Sequence, residues 1–381
     1  MTSAVTLAQI ASNVSTQAFK NRVINGDMRI DQRNLGASQT PAAGINYFLD
    51  RWQLNLAQSS KLSIQRNAGS VTPPVGFTNY LGLTSLSAYS IVASDFHTLR
   101  QVIEGFNVTD LAYGTADAKT ITLSFWVRSS LTGTFGGCLN NASFTRGYPY
   151  TYTISNPNVW EYKTVTIPGD TTGTWPTDNT GGLLLGWTLG TGSTYTSGTT
   201  NSWNGITGGG FAPLAATGVT SVVGTNGATF YITGVQVEIG TAASSFDYRP
   251  YALELTLCQR YFYRVYGIFW SLGIINQASG SWTLASMSHP TAMRTNPTFG
   301  HNLTDANRVT ASPTANQWSV YNQNVGWGSI SFSPASTFQG IFNGSGSTVQ
   351  GHAGGYYTTF SAGSTHIGLG SNLYIEWSAE L

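Results

Sequence analysis

Charge is what this sequence has least of. Only 9 % of its 381 residues are Asp, Glu, Lys or Arg, against about 25 % in an average soluble chain, and 17 basic and 16 acidic side chains nearly cancel to a formal +1. Such a balance, without a run of five like charges, supplies no field to recruit nucleic acid or an anionic membrane, both of which need clustered Lys and Arg. Cysteine is almost as scarce. Cys138 and Cys258 cannot build a disulfide framework and make no Cys-x-x-Cys pair, which removes redox-motif and zinc-ribbon chemistry and leaves one bridge or two free buried thiols, the latter expected. No stretch of 18 apolar residues can span a bilayer, and residues 1–20 lack the basic start and apolar core of a secretory signal. There is no Gly-Lys-Ser/Thr phosphate loop, no Gly-x-Ser-x-Gly elbow, no His-Glu-x-x-His, and none of the five histidines pair at i, i+4. No cofactor is expected.

What is present is apolar and aromatic: 41 % of the residues are hydrophobic and 13 % of all residues are Phe, Trp or Tyr, enough for real cores. The surface must be wetted by neutral Ser, Thr, Asn and Gly, a composition common on extracellular or virion β-proteins. If the chain acts outside a cell, release within an assembled particle would reconcile that with the absence of a visible secretory signal.

From about residue 21 to 250 the text is short alternating runs cut by Gly, Pro, Asn and Asp, the pattern of strands and turns. In Ile121–Arg128, Ile121, Leu123, Phe125 and Val127 share one face and Thr122, Ser124, Trp126 and Arg128 the other, a half-buried strand. Trp160–Ile167 stops at Pro168-Gly169, and Leu183, Leu185, Trp187 and Leu189 make a third run; Trp160 and Trp187 are expected in the core. In Phe230–Ile239 the apolar phase flips at Gly234, which predicts a bulge. Many short strands without helical text between them predict a jelly-roll β-sandwich. Gly190–Gly210 reads as a loop of about 20 residues, a length that is usually functional or mobile.

Around Pro250 the period changes. Leu253, Leu257 and Tyr261 at i, i+4, i+8 behind a proline predict a short helical connector over 251–263. Strand text returns over 264–381, with runs at Ile268–Ile275, Ser281–Ser288, Gln317–Asn322, Tyr356–Ser361 and Asn372–Leu381, predicting a second, smaller C-terminal β-sandwich domain. Residues 1–20 are a polar arm, either frayed or ordered on assembly. The fold class expected is therefore all-β, a jelly roll over 21–250 followed by connector and distal domain.

Four segments bear a family resemblance. Asn21–Arg33, Leu123–Val127, Gly234–Gly240 with Phe246-Asp247-Tyr248-Arg249-Pro250, and Leu257–Tyr263 resemble text of tailed-phage fibre and tail-tip proteins, in the same order and over roughly residues 21–263; Met293-Arg294 with Asn296-Pro297-Thr298 is similar to a segment that follows in such fibres. Asn25-Gly26-Asp27 also resembles, more loosely, the start of jelly-roll carbohydrate-binding modules. The resemblance implies a virion location, attachment to other virion proteins through residues 1–20, a homotrimer, and a host surface glycan as target. In the carbohydrate modules that start continues to an acid that helps hold calcium; here Arg29 stands in that place, so a calcium site would have to use Asp27 with a late acid such as Asp247.

Flat rings beside amides and hydroxyls suit a neutral glycan. Trp318, Tyr321, Trp327, Tyr356 and Tyr357 lie in such surroundings and are the candidate distal receptor surface; Trp126 and Arg128 are the candidates in the larger domain, for sugar or for a neighbouring subunit. Glycan cleavage would need two placed carboxylates, and from Leu255 onward only Asp305, Glu376 and Glu380 are acidic. A noncatalytic tail-fibre or tail-tip protein is the expectation, with a head fibre or capsid or tail decoration protein and a polysaccharide depolymerase as the alternatives.

Overall fold

The computed structural model describes residues 20–207 and 209–266, and between 268 and 381 the strands and short segments named below. The chain divides into two compact units, Met1–Tyr251 and Ala252–Leu381. The first contains β1 (Gly44–Leu49), β2 (Trp52–Leu56), β3 (Leu62–Arg66), β4 (Leu81–Ser85), β5 (Phe96–Glu104), β6 (Ile121–Ser129), β7 (Gly133–Asn141), β8 (Gly147–Ile154), β9 (Glu161–Ile167), β10 (Gly181–Thr191), β11 (Thr196–Ser197), β12 (Ala215–Ala216) and β13 (Thr229–Ile239). Six form one antiparallel sheet, β1-β2-β5-β10-β7-β8, and five another, β3-β4-β13-β6-β9.

The two sheets bury one another, as the alternation predicts. Ile121, Leu123, Phe125 and Val127 of β6 and Leu183, Leu185, Trp187 and Leu189 of β10 belong to a single apolar core. Across it Phe125 meets Trp187 at 5.4 Å between ring centres, edge to face, and Trp187 meets Trp52 at 5.7 Å. Trp160 departs from expectation. It precedes β9 and lies outside that core, half-buried against Tyr80 and Tyr231 in a smaller cluster, because a residue ahead of the strand escapes its alternation.

The bulge in β13 is present where the phase flips. Thr233 pairs with Trp126 but Gln236 with Ser124, so one strand spends an extra residue, and Gly234 takes the left-handed φ of 61°. The insertion turns Val235 and Val237 into the same core as Phe230 and Ile232. Beyond Ile232, where pairing with β4 ends, the same strand has an edge open to a second partner. Residues 21–26 dock there: Arg22 N donates to Val237 O at 2.9 Å, Val237 N to Asn21 Oδ1 at 3.1 Å, Asn21 Nδ2 to Val235 O at 3.0 Å and Val235 N to Gly26 O at 2.9 Å.

The same segment is held from its other side. The Gln101 amide pairs with the backbone of Ile24 through both its atoms, at 2.9 and 2.8 Å. Asn25, at a left-handed φ of 57°, accepts from Ile30 N at 2.9 Å and donates to Ile30 O at 2.8 Å and Asp50 O at 3.0 Å. Arg249 closes the arrangement by donating to the carbonyls of Val23 and Asn21. Thus Asn21–Asp27 and Phe246–Arg249, remote in sequence, form one buried polar clasp.

In the second unit α1 (Tyr251–Gln259) precedes β14 (Phe262–Tyr266), β15 (Ile268–Trp270), β16 (Ser281–Thr283), β17 (Met287–Ser288), β18 (Thr298–His301), β19 (Gln317–Asn322), β20 (Gly326–Phe332), β21 (Thr337–Phe338), β22 (Gly340–Asn343), β23 (Thr348–Ala353), β24 (Tyr356–Ser361), β25 (His366–Gly368) and β26 (Tyr374–Ser378). These make a three-stranded sheet β14-β26-β18, a six-stranded sheet β16-β22-β20-β19-β23-β24, and the pairs β15-β25 and β17-β21. The helix is where Pro250 predicts it, but its buried side chains are Glu254 and Cys258, followed by Tyr261, not the stripe of Leu253, Leu257 and Tyr261. Leucines at 253, 255 and 257 surround the helix, so spacing alone selects no face. Arg294 N donates to Arg260 O at 2.8 Å, and its guanidinium to Ala379 O and Glu380 O at 2.7 and 2.9 Å, tying the end of α1 to the segment after β26. Cys138 and Cys258 are both buried thiols that form no disulfide with each other.

Two outcomes follow from this packing. A Cβ on Gly26 would stand 2.2 Å from Val235 O, so Gly26→Ala should cost about 2 to 3 kcal/mol in urea unfolding, while Gly198→Ala, with nothing within 4 Å of its Cβ, should change stability by at most about 1 kcal/mol. His97 is fully buried; burial pushes its pKa below the ordinary value, Lys61 adds to that and Asp95 opposes it. The folded imidazole therefore stays neutral while the unfolded one protonates below about pH 6.5, so stability is complete above that pH and falls as pH drops through it. Between about pH 7.5 and 5, His97→Phe should lose less unfolding free energy than the native sequence; equal losses would remove His97 from the pH response.

Candidate functional site

The pleat sends Ile45, Tyr47, Gln53, Asn55, Phe96, Thr98 and Arg100 to the outer face of the six-stranded sheet, opposite the core, since Gln53 pairs with Arg100, Asn55 with Thr98 and Ile45 with Asn55. The long segment after β10 crosses that face. It is not an unstructured loop: Asn204 and Gly147 exchange backbone hydrogen bonds at 2.7 and 2.9 Å, Leu214 N donates to Tyr195 O at 2.8 Å, and β11 and β12 pair. Pro213 O accepts from Asn140 Nδ2 at 3.0 Å and from the Cys138 thiol at 3.0 Å, which seals the β7 side of the sheet. Burial also pushes the Cys138 thiol up.

What stays open is a cavity of about 190 Å³ between the crossing segment and the β1-β2-β5 side. Its walls are rings. Phe96 meets Tyr195 edge to face at 5.5 Å, Tyr195 lies 6.5 Å from Phe211, and Phe211 meets Phe144 at 6.2 Å. Ala212 N donates to Phe144 O at 2.6 Å, which fixes the last two rings together. Ile45 is 59 % exposed and Phe211 47 %, so apolar surface is displayed at this cavity.

Its polar element is Arg100, only 5 % exposed. The guanidinium lies 5.8 Å from the Phe144 ring centre, Nε donates to Gln53 Oε1 at 3.3 Å, and the Asn55 amide oxygen, turned toward it, accepts from both Nη atoms at 3.2 Å. Gln53 in turn donates to Tyr47 Oη at 3.0 Å. Among the described residues no carboxylate pairs with Arg100, and burial lowers its pKa to about 10. The described lining contains no Asp or Glu.

A second cavity, about 170 Å³, is lined by Val108, Leu111, Tyr113, Trp175 and Leu183. Tyr113 meets Trp175 edge to face at 4.9 Å, and burial raises its phenol well above the ordinary value. Its lining carries the hydroxyls of Thr109, Tyr113, Thr115 and Thr177 and no charged side chain.

Of the residues singled out from sequence, Trp126 and Arg128 sit on the outer face of the five-stranded sheet. Trp126 lies 5.3 Å from Tyr162, while Arg128 lies over Tyr231 at 5.2 Å and donates to Asn158 O at 2.9 Å. Trp318 and Tyr321 fall on β19, Trp327 on β20 and Tyr356 and Tyr357 on β24, with Tyr321 opposite Trp327; their side chains lie outside the described residues. Asp27 pairs with Arg29, and Asp247 Oδ2 accepts from Asn21 N at 3.2 Å, so both carboxylates serve the clasp. No group of three metal-ligating side chains gathers among the described residues. Sequence reasoning missed the cavity residues altogether. The available signal was Phe96-His97-Thr98-Leu99-Arg100, an arginine at even spacing from a phenylalanine in an otherwise uncharged alternation.

No protein-family model and no curated protein matches the sequence. Among solved structures, the chain is similar to the enzymatically active domain of tailspike protein 4 from bacteriophage CBA120 (10 % identity, TM-score 0.32), over 59 % of this chain and 22 % of that one. It is similar too to a family 11 carbohydrate-binding module of a Clostridium thermocellum cellulosomal cellulase (13 %, 0.25, 54 % and 98 %) and to the N-terminal cellulose-binding domain of Cellulomonas fimi β-1,4-glucanase C (12 %, 0.20, 44 % and 82 %). Overlaps this loose do not fix what this chain binds.

Proposed function

We propose that this chain is a noncatalytic glycan-binding protein of a phage particle, a tail-fibre or tail-tip component that engages host surface glycan during adsorption. The observation that carries the glycan reading is the ring-walled cavity on the outer face of the six-stranded sheet, where Phe96, Tyr195, Phe144 and Phe211 surround amide and guanidinium donors. Sugar C–H faces pack on such rings and sugar hydroxyls bond to such polar groups. A described lining without carboxylates supports holding a sugar without cleaving it. The virion reading is supported by the resemblance of Asn21–Arg33, Phe246–Pro250 and Leu257–Tyr263 to phage fibre text. The proposed assembly is a homotrimer attached to the particle through residues 1–20, its weak single sites gaining about 10² to 10⁴ in avidity by repetition. In the second unit the rings of β19, β20 and β24 are proposed as a further glycan surface.

A glycan array probed with the full chain tests the reading. Because Phe211 is half-exposed, Phe211→Ala should leave the melting temperature near that of the native sequence and weaken the best glycan about tenfold, roughly 1.4 kcal/mol. A change below twofold would remove the cavity from the reading, and an array with no bound glycan would sink it; a stable monomer at micromolar concentration in a solution mass measurement would sink the trimer.

A further inference from the structure

The charge-poor composition points to a neutral ligand, yet the cavity is built around a cation. We propose that the sugar taken by this cavity is acidic, its carboxylate seated on Arg100; this rests on the glycan-binding reading above and adds the class of sugar.

Arg100 is 5 % exposed and lines the cavity, and its named partners, Gln53 and Asn55, are neutral amides. Four other arginines of the first unit find acids, Arg22 with Asp110, Arg29 with Asp27, Arg66 with Asp31 and Arg146 with Asp170, while Arg128 donates to the Asn158 carbonyl. A guanidinium carries five N–H donors, of which the three contacts described occupy three. Burying such a cation without an anion costs free energy, and the lowered pKa reports that cost in the unliganded protein. An incoming carboxylate offsets it through a charge-assisted hydrogen bond from an N–H that Gln53 and Asn55 leave open. The neighbours favour this geometry. Phe144 lies beneath the guanidinium, and Gln53 and Asn55 hold it so that little order is lost on binding. With about 190 Å³ available, the hollow has room on the scale of one sugar residue. An acidic residue of a surface polysaccharide meets these conditions.

The test is equilibrium titration of the full chain with the methyl glycosides of D-glucuronic acid and N-acetylneuraminic acid, the methyl ester of each, D-glucose and D-glucose 6-sulfate. The free acids should bind at least about tenfold tighter than their esters, the scale of one hydrogen-bonded charge, with affinity falling as salt rises. The ester comparison needs no variant. In Arg100→Gln the preference for acid over ester should collapse to within about twofold, and Arg100→Lys should restore part of it. Equal binding of acid and ester, or a sulfate preferred over both carboxylates, overturns this inference while leaving glycan binding standing. No binding by any probe, acid or neutral, overturns both.

Discussion

The first unit depends on one docking event, the seating of residues 21–26 against the bulge in β13. A regular strand at that position would have presented Val235 and Val237 on alternating faces relative to Phe230 and Ile232. The extra residue at Gly234 corrects the phase, and beyond Ile232, where the pairing with β4 ends, one edge of β13 has amide and carbonyl groups that no sheet neighbour satisfies. Asn21 and Gly26 satisfy them, Gln101 satisfies Ile24, and Arg249 caps the carbonyls that remain. Buried polar groups are costly unless paired, so each member of the clasp is required by the others. A sequence motif that looked like a signature of function is, in this fold, a device for closing a sandwich.

The outer face of the six-stranded sheet is governed by the opposite economy. Its β7 side is covered by the segment that Pro213 anchors, and its β1-β2-β5 side keeps a hollow. The length of Gly190–Gly210 predicts a loop that is functional or mobile. Its backbone finds hydrogen-bond partners on β8, and β11 and β12 within the segment pair with each other. Rings are spent at the rim, where Tyr195 and Phe211 descend from the segment to meet Phe96 from the sheet.

Strand identity was readable wherever one face is apolar and the other polar, as in β6, and even the bulge announced itself through a broken period. The cavity did not, for a physical reason. β5 is covered on both faces, by the core on one side and by ring and amide neighbours on the other, so its alternation carries no contrast between inside and outside. Its walls also come from segments a hundred residues apart, Phe96 and Phe211, joined only by tertiary structure. Trp160 misled because it stands one residue ahead of its strand, and the α1 stripe misled because leucines surround the helix. Trp126 and Arg128 were placed on the correct side of β6, but Arg128 is engaged by Tyr231 and Asn158.

The clasp also sets how this unit would respond to mechanical tension. Lys20 bonds Ser244, Asn21 bonds Val235 and Asp247, and Arg249 bonds Asn21 and Val23, so residues 20 and 249 leave the sandwich side by side. A pull applied between those two points is borne by a short ladder of polar contacts, while the two sheets lie off the line of force. The ring-walled hollow is thereby isolated from stress along the chain, and the ladder would part before the hollow deformed.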